Sequence, residues 1–258
     1  MVLVLIGLGI SDDSDIPVRG LNELLDCSEV YAESYTNRMA EGTLSRLESK
    51  VRRRITLLNR ADVEAEKKLV DAAKNRKIAL LVPGDPLIAT THISLVIACR
   101  KAGVKVSVVH SSSILSAAIG ETGLQSYKFG KMVTLPYWRE NYRPVSTYEV
   151  ICENLSRGLH TLVLLDIDEQ MGPMEPKQAL ALLLEMKKEA ERKGKLGAEI
   201  SESSRVAVLS KLGHIDQKIS YGRIKDLMNE VLGEPPCCIV VPAKLHFLEE
   251  EYLDYFKI

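Results

Sequence analysis

No two of the five cysteines, Cys27, Cys99, Cys152, Cys237 and Cys238, stand at the Cys-x-x-Cys spacing of a zinc knuckle or a dithiol redox centre. Reduced thiols in a cytoplasm are therefore expected. An excess of charge of one sign is missing as well. The 34 Lys and Arg residues oppose 35 Asp and Glu, so there is no global basic field to hold a phosphate backbone, and nucleic acid is not expected as the main partner. Long hydrophobic runs are also absent. The apolar start MVLVLIGLGISDDSD is too short to span a bilayer and lacks the basic flank and small-residue cleavage site of a signal peptide. It reads as a buried strand, with no membrane as partner. The histidines His92, His110, His160 and His214 show no i, i+4 ligand pair, and Asp12, Asp13 and Asp15 lack the loop and terminal Glu of a calcium site. No metal is predicted, and helix capping and solvation are the expected work of these aspartates.

What is present is enough for a real core. A chain of 258 residues, 46% hydrophobic and 27% charged, has the make-up of one large globular domain or two modest ones. Short β-branched or leucine-rich runs read as buried strands at Val2 to Ile6, Glu29 to Glu33, Ile78 to Val82, Val104 to His110, Leu162 to Ile167, Val206 to Leu209 and Cys238 to Val241. Helical patterns lie between them. The clearest runs from Pro176 to Lys195, with Leu180, Leu183 and Leu184 on one stripe and Glu185, Lys187, Lys188, Glu189 and Arg192 facing water. This alternation predicts an α/β fold with largely parallel sheets. The small-residue segment HSSSILSAAIGETG suggests a hinge, which places an N-terminal α/β domain at 1–111 and a C-terminal one at 112–258. The Lys/Glu/Gly passage from Lys187 to Glu202 reads as a solvated helix end and loop.

Two loops invite a ligand. In IGLGI, residues 6–10, a strand runs into Gly7 and Gly9, where a missing Cβ lets a backbone come close to a bound molecule. A dinucleotide fingerprint needs a third glycine where Asp12 stands, so this is a poor dinucleotide site; a tight turn with Asp or Ser capping the next helix is the plain alternative. In LLVPGDPLIATTH, residues 80–92, a buried strand ends in a loop held by two prolines, with Gly84 freeing the backbone and Thr90 or Thr91 placed to cap the next helix. Open α/β sheets bind ligands beyond the carboxyl ends of their strands, so Asp85 could accept a hydrogen bond from a small molecule there; an Asp-Pro turn with no ligand is the alternative. The segment YWRENYRP, residues 137–144, gathers Tyr137, Trp138 and Tyr142 with Arg139 and Arg143. Such a group suits a protein-binding edge or a cage for a methylated ammonium, or else a satellite cluster under a loop.

VPGDPLIATTH together with IGLGI resembles the paired signatures of the tetrapyrrole methylase superfamily, whose members bind S-adenosylmethionine (SAM) in a cleft between two α/β lobes. Within it the chain is most similar to the diphthine synthase family, through YAESYT at 31–36, SSIL at 112–115, YKFGK at 127–131, RGLHTLVLLDI at 157–167 and VPAKLHFLEEEYL at 241–253. The resemblance spans nearly the whole chain. It implies two α/β lobes with mixed, largely parallel sheets, and a SAM pocket formed by the positions of Ile10, Asp85, Ile88, Ser113, Ile114, Leu165, Tyr221 and His246. It also implies S-adenosylhomocysteine (SAH) as product, translation elongation factor 2 as protein substrate and a homodimer. Ile10, Ile114 and Leu165 would wall the adenine, Asp85 and Ser113 would make polar contacts, and Ile88 would contribute through its backbone. No catalytic base is named. A tetrapyrrole methylase acting on a corrin or porphyrin precursor, and a non-catalytic SAM-binding protein, are the alternatives.

Overall fold

The computed structural model describes residues 1–37, 39–194 and 200–258. The chain divides into two units, Met1–Ile114 and Leu115–Ile258. In the first, the elements run β1 (Val2–Gly7), α1 (Val18–Asp26), β2 (Glu29–Glu33), α2 (Thr43–Val51), β3 (Ile55–Leu58), α3 (Arg60–Glu64), α4 (Lys67–Asn75), β4 (Lys77–Val82), α5 (Ile93–Lys101) and β5 (Lys105–Val109). The five strands form one parallel sheet in the order β3-β2-β4-β1-β5.

Why the strand runs are almost wholly apolar is clear from β1. Leu3 and Leu5 enter one core with Leu69, Ala73, Leu95 and Cys99 of α4 and α5, while Val4 and Ile6 enter another with Leu24, Leu47 and Val51 of α1 and α2. Alternate residues of a strand point to opposite faces, and here helices cover both faces, so no position is left for a polar side chain. Each of these four strand residues is fully buried, a contribution of about 1.5–3 kcal/mol apiece.

The second unit contains α6 (Ile114–Thr122, whose first residue belongs to the first unit), β6 (Val133–Leu135), α7 (Ser146–Ser156), β7 (Thr161–Leu165), the short pair β8 (Ile167–Asp168) and β9 (Gly172–Pro173), α8 (Pro176–Arg192), β10 (Arg205–Ser210), β11 (Lys218–Arg223), α9 (Ile224–Leu227), β12 (Cys237–Val241) and α10 (Phe247–Asp254). Its main sheet has the order β11-β10-β12-β7-β6. The mixing of strand directions is concentrated here: only β6 and β7 run parallel. The helix predicted from Pro176 is α8; Leu180 and Leu183 are buried, Leu184 packs at the core edge, and Pro176 occupies its first turn behind a Glu175–Gln178 capping box. Its expected last residue, Lys195, and part of the expected solvated loop lie outside the described residues.

Three strands of the main sheets escaped the sequence reading, β3 in the first unit and β6 and β11 in the second. β3 and β6 are edge strands of four and three residues, too short to show a period, and β11 carries Lys218, Tyr221 and Arg223 on an edge. The five cysteines are free thiols, and burial pushes Cys27, Cys99 and Cys237 up to about 11. Among the described residues no helix is long and apolar enough to cross a membrane.

Candidate functional site

Because β4, β1 and β5 are parallel neighbours, their following loops leave the same edge of the first unit's sheet. The two glycine turns are bonded to each other there. Gly9 N–H donates to Gly84 O (3.3 Å), Gly84 N–H to Gly9 O (2.6 Å), and Leu8 N–H to Val82 O (2.8 Å). Gly9 and Gly84 have φ of 78° and 73°, a region that L side chains rarely adopt. The purpose of the glycines differs from the expected one, however. A Cβ on Gly7 would stand 2.5 Å from Gly84 O and 2.7 Å from Ser111 Cβ, and one on Gly9 would stand 2.3 Å from Asp15 Cβ. Both positions are kept bare by the neighbouring protein loops. Only Gly84 opens onto free space, with nothing within 4 Å of its Cβ position.

Two aspartates lace the three loops together. Asp15 Oδ2 accepts Ile10 N–H (3.0 Å) and Ser11 N–H (2.9 Å), and Asp15 O accepts the Ser111 hydroxyl (3.3 Å). Asp85, only 6% exposed, accepts Leu87 N–H on Oδ1 (3.0 Å), and on Oδ2 Ser111 N–H (3.3 Å) and His110 Nδ1 (2.7 Å). Asp85 is thus an organiser of the loop set, with spare accepting capacity on Oδ1 alone. The expected capping roles are not found: Asp12 takes Ser14 N–H, Asp13 is buried against Arg46 and Lys50, and α1 starts behind Pro17. Nor do Thr90 and Thr91 cap α5. Thr90 donates to Pro86 O, Thr91 O accepts Ser94, and His92 takes the N-cap position.

His92 belongs to a buried group that the sequence did not reveal. Its Nδ1 lies 2.9 Å from Pro86 O and its Nε2 3.3 Å from the Tyr35 hydroxyl. Glu33, at the end of β2, is buried and accepts Tyr35 N–H, Thr36 N–H and the Thr36 hydroxyl. Burial raises its carboxyl above the usual range, and it raises Tyr35 to about 12. This group ties YAESYT to the loop of GDPLIATTH.

The proposed pocket residues of the first unit sit on these laced loops. Ile10 follows Gly9 directly, Ile88 is 40% exposed three residues past Asp85, and half-buried Ser113 and Ile114 lead into α6. The remaining three lie in the second unit. Leu165 ends β7 opposite Leu135. Tyr221 is a core residue at 1% exposure; its N–H donates to Phe256 O and its carbonyl accepts Ile258 N–H. His246 is exposed and is the N-cap of α10, its Nδ1 accepting Leu248 N–H at 3.4 Å.

Beneath His246 lies a buried carboxylate. Glu249 accepts Gln125 N–H (2.9 Å), His246 N–H (2.7 Å) and Lys128 Nζ (2.5 Å), and its Oε1 is 3.3 Å from His160 Nε2. Its own burial works to raise its pKa, but the donors from His246, Lys128 and Gln125 outweigh that and hold it at about 2. YKFGK, RGLHTLVLLDI and HFLEEEYL thereby meet at one side chain. The aromatic segment has a plainer role. Trp138 packs at the core edge, donates to Pro144 O and carries Arg143 over its ring, while Arg139 pairs with Asp168. Among the described residues no group of three His, Cys, Asp or Glu side chains is gathered to hold a metal.

Residues 2–228 match the family described as Tetrapyrrole (Corrin/Porphyrin) Methylases. The diphthine synthase of Methanothermobacter thermautotrophicus is 41% identical over 253 residues, covering 98% of this chain and 94% of that one. The chain belongs to the diphthine synthase family of tetrapyrrole methylases. A second diphthine synthase, from Methanocaldococcus jannaschii, is 42% identical over 258 residues and 98% of both chains. A crystal structure of a diphthine synthase superposes with a TM-score of 0.88 at 32% identity, covering 100% of this chain and 96% of that one. The diphthine synthase likeness therefore continues past residue 228, where the general methylase match has ended, into the segment that holds His246 and Glu249.

Proposed function

We propose that this chain transfers methyl groups from SAM to the amino group of the 3-carboxy-3-aminopropyl histidine on translation elongation factor 2, yielding diphthine in diphthamide biosynthesis. The observation that carries this reading is identity near two residues in five with diphthine synthases along the whole chain. It is supported by the Lys128–Glu249–His160 junction, which gives the family-specific segments a shared structural reason.

The residues present fit SAM. Gly84 leaves open space, the exposed Ile88 with Ile10 and Ile114 offers aliphatic surface, and Asp85 Oδ1 and Ser113 offer polar contacts. The family resemblance adds Leu165, Tyr221 and His246 of the second unit to the residues proposed to bind the cofactor. When bound, SAM supplies a methyl group activated by a neutral leaving thioether. The chain's own task is to hold donor and acceptor in line and keep water out, which is worth about 7–11 kcal/mol for ideal orientation. The acceptor is a side chain of a large protein, and the enzyme works on it as a cytoplasmic homodimer.

Incubation with methyl-labelled SAM and unmethylated elongation factor 2 tests the reading. Label is expected in the factor, with SAH binding measurable by calorimetry. Label in uroporphyrinogen or a precorrin instead would replace it with the tetrapyrrole reading, and SAH binding without any transfer would leave a cofactor-binding protein.

A further inference from the structure

An exposed imidazole rests on the buried carboxylate at the carboxyl end of the parallel sheet. His110 follows β5 directly, its side chain is 68% exposed, and its Nδ1 lies 2.7 Å from Oδ2 of Asp85, which is 6% exposed. Asp85 is itself fixed by Leu87 N–H and Ser111 N–H. A carboxylate accepts hydrogen bonds, so the neutral imidazole must carry its proton on Nδ1 and leave the Nε2 lone pair unprotonated. Nothing in packing requires this. A surface histidine needs no buried partner, and Asp85 could be satisfied by backbone N–H groups alone.

We propose that His110, oriented by Asp85, is the general base of the methyl transfer; this rests on the reading that the acceptor is an amine. An aliphatic amine beside a free carboxylate is mostly ammonium at neutral pH, a form with no lone pair to attack. The acceptor ammonium gives one proton to His110 Nε2, leaving a neutral amine and an imidazolium stabilised by Asp85. The nitrogen lone pair then forms the N–C bond as the C–S bond breaks, its electron pair returning to sulfur, and the imidazolium releases its proton to water. Each further methylation repeats the cycle. His110 is placed for this: it is one residue from Ser111 and three from Ser113, on the loop laced to those of Ile10 and Ile88. The charged group against His110 is Asp85, and Asp15 reaches the same corner through its carbonyl to Ser111.

The test uses the full chain as wild type, His110→Asn and His110→Ala. Asn can still meet Asp85 with its amide but has no group at the Nε2 position. Both variants should bind SAH within about threefold of wild type. Both should lose about 100-fold in kcat at pH 7, the usual size of a general-base contribution, and the loss should shrink as pH rises and the amine deprotonates unaided. Independently of turnover, nitrogen NMR should find His110 as the Nδ1–H tautomer in wild type and as the Nε2–H tautomer or a mixture in Asp85→Asn. Unchanged kcat in the variants, or an Nε2–H tautomer in wild type, would overturn the base while leaving the methyltransferase reading intact. Absence of transfer to the factor by the wild type, with SAH bound, would overturn both.

Discussion

Lys128 Nζ lies 2.5 Å from Glu249 Oε2, and this contact joins residues 121 positions apart in the sequence. Lys128 also donates to Lys244 O, and Ala243 N–H donates to His160 Nδ1. The turn before α10, and with it the main chain of His246, is therefore held by a single buried acid.

Removing that acid should cost both stability and order. Glu249→Ala leaves Gln125 N–H and His246 N–H without their acceptor and Lys128 without its counter-charge. A loss of about 3 kcal/mol is expected, with Glu249→Gln less damaging because the amide oxygen still accepts. Urea unfolding monitored by circular dichroism measures both, and a midpoint unchanged in the alanine variant would contradict the account.

The same cluster sets an acid limit. Burial holds His160 below its usual value of 6.5, against the pull of Glu249, so the fold keeps it neutral. Its contribution is complete above 6.5 and is lost as pH falls through the lower folded value. Glu249, held at about 2 against 4.5, contributes fully above 4.5 and loses that contribution as pH falls towards 2. Thermal melts should decline in two stages, the first beginning near pH 6.5. His160→Gln should abolish the first stage and retain the second.

The two glycines of the laced turns should respond differently to a methyl group. Gly9→Ala meets Asp15 Cβ and has an unfavourable φ, so several kcal/mol and the loop itself should be lost. Gly84→Ala suffers only its φ, about 1–2 kcal/mol, because its surroundings are open. If SAM uses that opening, Gly84→Ala will stay folded and bind SAH at least tenfold more weakly. Calorimetry alongside thermal melts separates the two effects, and full SAH affinity in Gly84→Ala would remove this loop from the pocket.

Asp85→Asn tests the organiser role. With three donors gathered on one buried carboxylate, a loss of about 1.5–3 kcal/mol in stability is expected together with weaker SAH binding. A variant that lost affinity while melting like wild type would make Asp85 a ligand contact and little else.

Replacing His246 distinguishes a cap from a contact. The 3.4 Å bond to Leu248 N–H is long, so His246→Ala should cost no more than about 1 kcal/mol. His246→Asn restores a good capping side chain. If His246 touches the cofactor, SAH affinity will fall in both variants; recovery in the asparagine variant would mean that the helix start is all that matters.

The strands Val2 to Ile6, Glu29 to Glu33 and Ile78 to Val82 were legible as sequence because helices cover both sheet faces, and that burial leaves their central positions almost wholly apolar. The α/β class, the leucine stripe of α8 and the placing of two glycine loops at strand ends follow from such local periodicity. Short edge strands such as β3 and β6 do not, since pairing with a neighbour, and not their own composition, makes them strands. The same holds for the site. Gly7, Gly9, Asp85 and His110 are visible letters, but that the glycines make room for other loops, and that Asp85 turns inward to hold His110, depends on which loops the parallel order β4-β1-β5 sets side by side. A hydrogen bond between residues 25 or 121 positions apart leaves no period along the chain; it exists only once packing has brought its ends within reach.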